Sequence, residues 1–205
     1  MDAKAHWEQV YRDKLPQETS WFAPHLETSL DWIVLASGDR SARIFDVGGG
    51  ESTLVDDLLA AGYRSILVLD LAGSAIGKAR QRLGPAADSV DWAVGDATSF
   101  AFPPRSCDVW HDRAVFHFLT EAEDRAAYRR NLVSALRPGG SVVLATFGPH
   151  GPVKCSGLPT RRYDAAELSR EMGARFQLER SAIVNHQTPF GGAQEFLYCL
   201  FRFQA

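Results

Sequence analysis

The chain has 205 residues, 45% of them hydrophobic and 23% charged, with a formal net charge of −3. That composition is globular rather than disordered or fibrous, and a chain of this length buries enough surface to fold without a disulfide or metal staple. The absence of a basic stripe argues against a nucleic-acid surface, and no apolar run reaches the roughly 18 residues that a membrane span needs.

The opening stretch, MDAKAHWEQVYRDK, is mixed in charge and has no signal-like apolar segment. The first 40 residues carry two helical patterns. Trp7, Val10 and Tyr11 fall at i, i+3 and i+4, then Leu26, Leu30 and Ile33 repeat the spacing, with Pro16 between them. From there apolar runs and helical stretches alternate. Residues 42–47 read as a strand running into Gly48-Gly49-Gly50, and Leu54, Val55, Leu58 and Leu59 open a helix that Gly62 ends. Residues 65–70 form a continuous apolar run closed by Asp70, the pattern of a strand covered on both faces.

Residues 74–83 read as a helix, and 90–95 and 107–111 as strands. Thr120-Glu121-Ala122-Glu123 has the form of a capping box opening a helix to about Leu136, with Tyr128, Leu132 and Leu136 on its buried stripe. Pro138-Gly139-Gly140 stops that helix before a strong strand over 141–147. A second capping box stands at Asp164–Glu167, followed by strands at about 176–185 and 195–203. The turn chemistry between those two, Thr188 to Gly192, leaves them only an antiparallel pairing. Strands alternating with helices predict a doubly wound α/β fold, and neither repeat nor linker divides the chain. One domain is expected over 1–205, with residues 1–40 as a helical lead and 41–205 as the core.

The candidate chemistry lies at the ends of the strands. A glycine-rich first turn in a doubly wound sheet faces the crevice where ligands bind. Asp70 ends the next strand, and its two acceptor oxygens suit the hydroxyls of a ribose. Asp96 and Ala97 end the third. The turn does not favour a diphosphate, because the sixth position of Gly48–Thr53 is threonine and Glu51 adds negative charge. Asp46 would likewise repel phosphate and attract an ammonium group. The pocket therefore favours a nucleoside with a cationic tail over NAD.

Asp46 through Gly50, Asp70, Asp96-Ala97, and Leu136-Arg137-Pro138-Gly139-Gly140 before a strong strand resemble class I S-adenosylmethionine-dependent methyltransferases over about residues 40–150. The resemblance implies a mostly parallel seven-stranded sheet in the order 3-2-1-4-5-7-6, the last strand antiparallel, with helices on both faces. It implies that Gly48, Gly49 and Gly50 admit the methionine moiety, with Asp46 near its ammonium group. Asp70 and Leu71 would meet the ribose, Asp96 and Ala97 the adenine, and Trp21 would cover the cofactor. Ser52 stands where the family often has a third glycine.

The same resemblance places Asp112, Arg113 and His117 near the reacting methyl group, His117 also being readable as a packing histidine. Arg113 either holds an anionic acceptor or pairs with Asp112; sequence leaves both open. No Asn/Asp-Pro-Pro-Tyr segment is present, which disfavours DNA or glutamine-amide targets. The long Gly/Pro-rich stretch over 148–159 reads as an acceptor wall, and Lys154, Arg161 and Arg162 beside it lean toward an acidic acceptor. Cys155 has no assignable histidine partner as a nucleophile. The three cysteines, far apart and without a CxxC pair, suit a reducing cytoplasm, and six scattered histidines offer no metal site. The expected activity is methyl transfer from S-adenosylmethionine to a small molecule. The alternatives are a protein lysine or terminus methyltransferase and a non-catalytic S-adenosylmethionine-binding protein.

Overall fold

Continuous apolar runs become strands buried on both faces. In the computed structural model, which describes residues 2–204, Ile44–Val47 (β1), Ile66–Asp70 (β2) and Cys107–Arg113 (β4) are almost wholly buried. With Asp91–Val94 (β3) and Leu136–Phe147 (β5) they lie parallel, and Phe176–Gln187 (β6) and Ala193–Phe203 (β7) complete the sheet. The order is β3-β2-β1-β4-β5-β7-β6, with β7 antiparallel to both its neighbours, as the resemblance implies. A separate two-stranded ribbon pairs Lys154–Cys155 with Leu158–Pro159. Met1 and Ala205, the ends of the expected domain, lie outside the described residues.

Alternation along each strand builds two cores. Phe45, Leu67, Leu69, Trp110 and Leu144 pack on one face with Tyr128 and Leu132 of Ala122–Ala135 (α5) and Leu168 of Ala165–Met172 (α6). Ile44, Ile66, Val68, Val109 and Val143 pack on the other. There they meet Trp32 and Ile33 of Glu27–Ser37 (α2), Leu54 of Leu54–Ala60 (α3) and Ile76 of Gly73–Leu83 (α4). Each fully buried side chain of this kind stabilises by about 1.5–3 kcal/mol. The N-terminal helix Ala3–Asp13 (α1) belongs to neither core; its Tyr11 packs with Ala72, Ala75, Trp7 and Trp21.

Two local expectations are corrected. The capping box at Thr120 does not form: Glu121 is the N-cap residue, without a side-chain bond. Thr120 is already committed to the preceding turn, its N–H donating to Phe118 O and its carbonyl accepting from Arg125. The strand expected over 141–147 begins at Leu136 instead. Leu136 pairs with Cys107, and an irregularity between Cys107 and Val109 absorbs the Pro-Gly-Gly segment before Ser141 pairs with Val109. The box at Asp164–Glu167 forms with both reciprocal bonds, 2.7 and 3.1 Å.

Candidate active site

β1 ends in the glycine turn, and two of its glycines are required there. Gly48 has φ +72°, and a Cβ on it would collide with Val115 Cγ2. Gly50 has φ +54°, and its Cβ would stand 2.6 Å from the Tyr11 hydroxyl. The turn is thus clasped from one side by the loop after β4 and from the other by α1.

A cavity of about 360 Å³ opens at this edge of the sheet. Gly48, Asp70, Leu71, Asp96, Ala97, Trp21 and Arg113, all expected from sequence, line it. A smaller annex of about 60 Å³ shares Tyr11, Trp21, Gly48 and Arg113 with it and adds Asp46 and Gly49. Gly50 lines neither and lies under Tyr11. Cys155, Leu158 and Pro159 bring the ribbon into the wall, as expected of the 148–159 stretch. Lys154 and Arg162 are exposed and Arg161 stands 4.0 Å from Glu171, so of these basic residues only Arg113 reaches the cavity.

The carboxylates are prepared for hydroxyl donors. One oxygen of Asp70 accepts from Ala72 N–H at 2.8 Å. Burial, with the negative charges of Asp46 and Glu8 adding to it, pushes its pKa up to about 7, while backbone hydrogen bonds oppose the rise. Asp96 uses Oδ1 for the N–H and hydroxyl of Thr98, at 2.8 and 2.7 Å, and among the described residues nothing bonds its Oδ2. An acid at each of two adjacent strand ends, a turn that admits close backbone and an apolar floor fit an adenosyl group.

Asp46 is less free than expected. Its Oδ1 lies 2.7 Å from His111 Nδ1, the His111 Nε2 lies 3.0 Å from Ser29 Oγ, and that hydroxyl lies 3.1 Å from Tyr198 Oη. All four residues are buried. This relay joins β1, β4, α2 and β7. Its partners are up to 169 residues apart, so no local sequence signal reveals it.

Asp112 and His117 are not brought into the cavity. Both are fully buried. Asp112 accepts from Val115 N–H at 2.9 Å, Phe116 N–H at 3.1 Å and the Tyr128 hydroxyl at 2.6 Å, so it ties down the loop after β4. Burial raises its pKa to about 6, against those hydrogen bonds. His117 accepts from Phe147 N–H at 3.2 Å through Nδ1 and stacks on the Phe147 ring at 4.3 Å. Burial first and Arg113 second lower its pKa to about 3. A neutral imidazole whose acceptor nitrogen is occupied has no proton-abstracting role at neutral pH. The packing reading of His117 is the one that the geometry supports.

Sequence reading missed the apolar lining. Ala114, Val115, Phe118, Leu119, Phe147 and Phe196 also face the cavity. Ala114 has φ +74°, a left-handed conformation that costs a non-glycine residue strain and is often found at functional sites. No local motif marks it; the one signal for it is its place directly after a strand end.

Fold and site together resemble those of class I, Rossmann-like methyltransferases. Residues 44–140 match the family model described as a methyltransferase domain. The chain is 31% identical over 126 residues to the ubiquinone/menaquinone biosynthesis C-methyltransferase UbiE of Roseobacter denitrificans, covering 59% of this chain and 47% of that protein. It is 24% identical over 152 residues to the eEF1A lysine and N-terminal methyltransferase of Danio rerio, covering 73% of this chain and 22% of the other. The chain thus spans about half the length of the bacterial relatives it matches. Its fold is similar to that of the Burkholderia thailandensis 1,6-didemethyltoxoflavin-N1-methyltransferase, solved with 1,6-didemethyltoxoflavin and S-adenosylhomocysteine. There the TM-score is 0.71 at 18% identity, over 99% of this chain and 84% of that one.

Proposed function

We propose that this chain transfers the methyl group of S-adenosylmethionine to a small-molecule acceptor. The observation that carries the reading is one continuous cavity with two unlike ends. Asp70, Leu71, Asp96 and Ala97 line one end, and Phe147, Phe196, Leu158 and Arg113 line the other. The first end holds the nucleoside through its carboxylates; the second is walled mainly by apolar side chains, as an organic acceptor requires.

When bound, the cofactor supplies a methyl carbon on a cationic sulfur, an activated leaving group. The protein's part is alignment: Gly48 lets the backbone come close, Val115 and Trp21 close over the site, and the aromatic walls exclude water. No protein base is assigned, because Asp112 and His117 face away from the cavity. The net charge of −3 and the three free buried cysteines support a cytoplasmic site of action without a nucleic-acid partner. Among the described residues no helix is long and apolar enough to cross a membrane.

Calorimetry with S-adenosylhomocysteine and with NAD tests the first half of the reading. Tight NAD binding with no S-adenosylhomocysteine binding overturns it. Incubating the chain with labelled S-adenosylmethionine and a cell extract, then separating by size, tests the second half. Label in the small-molecule fraction is expected; label only in protein bands assigns the chain a protein acceptor instead.

A further inference from the structure

Asp112 and Arg113 are neighbours at the end of β4, and strand alternation sends their side chains to opposite sides. Asp112 is turned inward and consumed by the loop backbone and Tyr128. Arg113 is half-buried and turned toward the cavity. Among the described residues no carboxylate lies within 4.0 Å of its guanidinium, whereas Arg82, Arg125, Arg137 and Arg202 each have an acid beside them. One of its N–H groups donates to Trp21 O at 3.2 Å, and the guanidinium lies 4.5 Å over the Phe196 ring. Among the described residues nothing accepts from the other donors of its planar fork. A half-buried cation without a counter-ion is costly to hold, and the surface that this one lies on is the apolar Phe196 ring.

We infer that Arg113 is the acceptor's anchor and that the acceptor is an organic monoanion, a carboxylate carried on a flat apolar body. The inference rests on the reading of the cavity as a methyl-transfer site. A single guanidinium, with Lys154 and Arg162 exposed elsewhere, suits one carboxylate in the bidentate geometry rather than a multiply charged phosphate. The aromatic and ribbon walls then take the body of the molecule. Asp70, Asp96 and the exposed Asp124 also line the cavity, so an anionic acceptor is drawn to Arg113, the one Lys or Arg among the described lining residues, and repelled from the acids. The cavity orients its two occupants by charge.

Benzoate and benzamide serve as probes, titrated into the full chain with and without saturating S-adenosylhomocysteine. The unaltered chain, Arg113→Gln and Arg113→Lys are compared, with melting temperatures confirming that each is folded. Benzoate is expected to bind the loaded chain at least about tenfold more tightly than benzamide does. Arg113→Gln is expected to remove that preference, and Arg113→Lys to retain part of it, with S-adenosylhomocysteine affinity held within about threefold. Undetectable benzoate binding to the unaltered chain, or equal binding to Arg113→Gln, overturns the inference. A tenfold loss of S-adenosylhomocysteine affinity in Arg113→Gln with benzoate unaffected also overturns it, because Arg113 then serves the cofactor's own carboxylate. If the unaltered chain binds no S-adenosylhomocysteine, the methyl-transfer reading fails, and the unloaded benzoate titration still decides whether Arg113 is an anion site.

Discussion

His111 Nδ1 stands 2.7 Å from Asp46 Oδ1 with both side chains buried, one strand apart in the parallel register that sets Asp46 opposite His111. The rest of the relay fixes how the protons lie. If Nδ1–H donates to Asp46, Nε2 accepts from Ser29, and Ser29 accepts from Tyr198, then every member is satisfied. Removing the ring leaves a buried carboxylate oxygen and the Ser29 O–H donor without partners, while Ser29 still accepts from Tyr198. His111→Ala is therefore expected to cost about 3 kcal/mol and Ser29→Ala about 1 kcal/mol. Urea denaturation of the two variants checks this. A His111→Ala chain as stable as the unaltered one would show that water or rearrangement replaces the relay.

Asp70 sets stability against binding. Its pKa stands at about 7, above the ordinary 3.8, chiefly because burial disfavours the charge. A carboxyl raised in the folded state contributes stability fully present below its unfolded pKa and lost as pH rises through the folded one. The window therefore runs from about pH 4 to about pH 7. Asp70→Asn is expected to melt higher than the unaltered chain above that window, with the difference shrinking toward pH 4. The same variant is expected to bind S-adenosylhomocysteine about tenfold more weakly, since an amide offers a ribose fewer acceptors. Affinity of the unaltered chain should rise with pH up to about 7 as the carboxylate forms. Flat affinity across that range, together with unchanged binding in Asp70→Asn, would place the ribose elsewhere.

The sheet was legible because its signals are local. Ile66–Asp70 reads as a two-face strand from five consecutive residues, and it is fully buried. Leu136–Gly140 was misread because Pro-Gly-Gly ends a helix in any context, and only pairing with Cys107 makes Leu136 a strand residue. The residues of the proposed nucleoside end were legible as cavity lining for the same reason as the sheet, since Gly48, Asp70 and Asp96 each stand at or just after a strand end. The acceptor end was not. Asp112 and Arg113 sit on opposite faces by simple alternation, but which face meets the cavity depends on the helices covering the sheet. His111, Ser29 and Tyr198 meet only in the folded chain.

Asp112 and His117 give a paired prediction about turnover. Asp112→Ala orphans two backbone N–H groups and the Tyr128 hydroxyl, which itself accepts from Trp110 Nε1 at 2.8 Å. A loss of about 2–4 kcal/mol is expected, with the loop carrying Val115 loosened over Gly48. His117→Phe keeps the stack on Phe147 and removes both ring nitrogens of a neutral imidazole, with the one hydrogen bond that Nδ1 accepts from Phe147 N–H. It is expected to retain kcat within about threefold and to leave the pH profile between about 5 and 8 unchanged. A loss of several hundredfold in kcat by a folded His117→Phe chain would restore a catalytic role to the histidine.

Whether α1 is a cover or part of the core turns on how it is fastened. Glu8 holds it to the first turn of α4, accepting from Gly73 N–H at 2.6 Å and Ser74 N–H at 3.2 Å, where the helix end favours a negative charge. The hydrogen bond with the Ser74 side chain, the largest cause, lowers the Glu8 pKa below its ordinary value of 4.5. That docking is accordingly present above pH 4.5 and lost as pH falls through the lowered value. Trp7, Tyr11 and Trp21 line the cavity from this segment, yet among the described residues α1 contributes only the buried Tyr11 and the partly buried Trp7 to the small cluster that it shares with α4. A segment fastened by a few polar contacts over a cavity opens more readily than the sheet beneath it. Glu8→Ala is therefore expected to lower S-adenosylhomocysteine affinity about three- to tenfold, with the melting temperature falling by no more than about 3 °C. Saturating S-adenosylhomocysteine should slow proteolysis within residues 2–22 in the unaltered chain more than in Glu8→Ala. If Glu8→Ala instead melts far lower and binds the cofactor as before, α1 is structural packing, and the cavity is entered from the ribbon side.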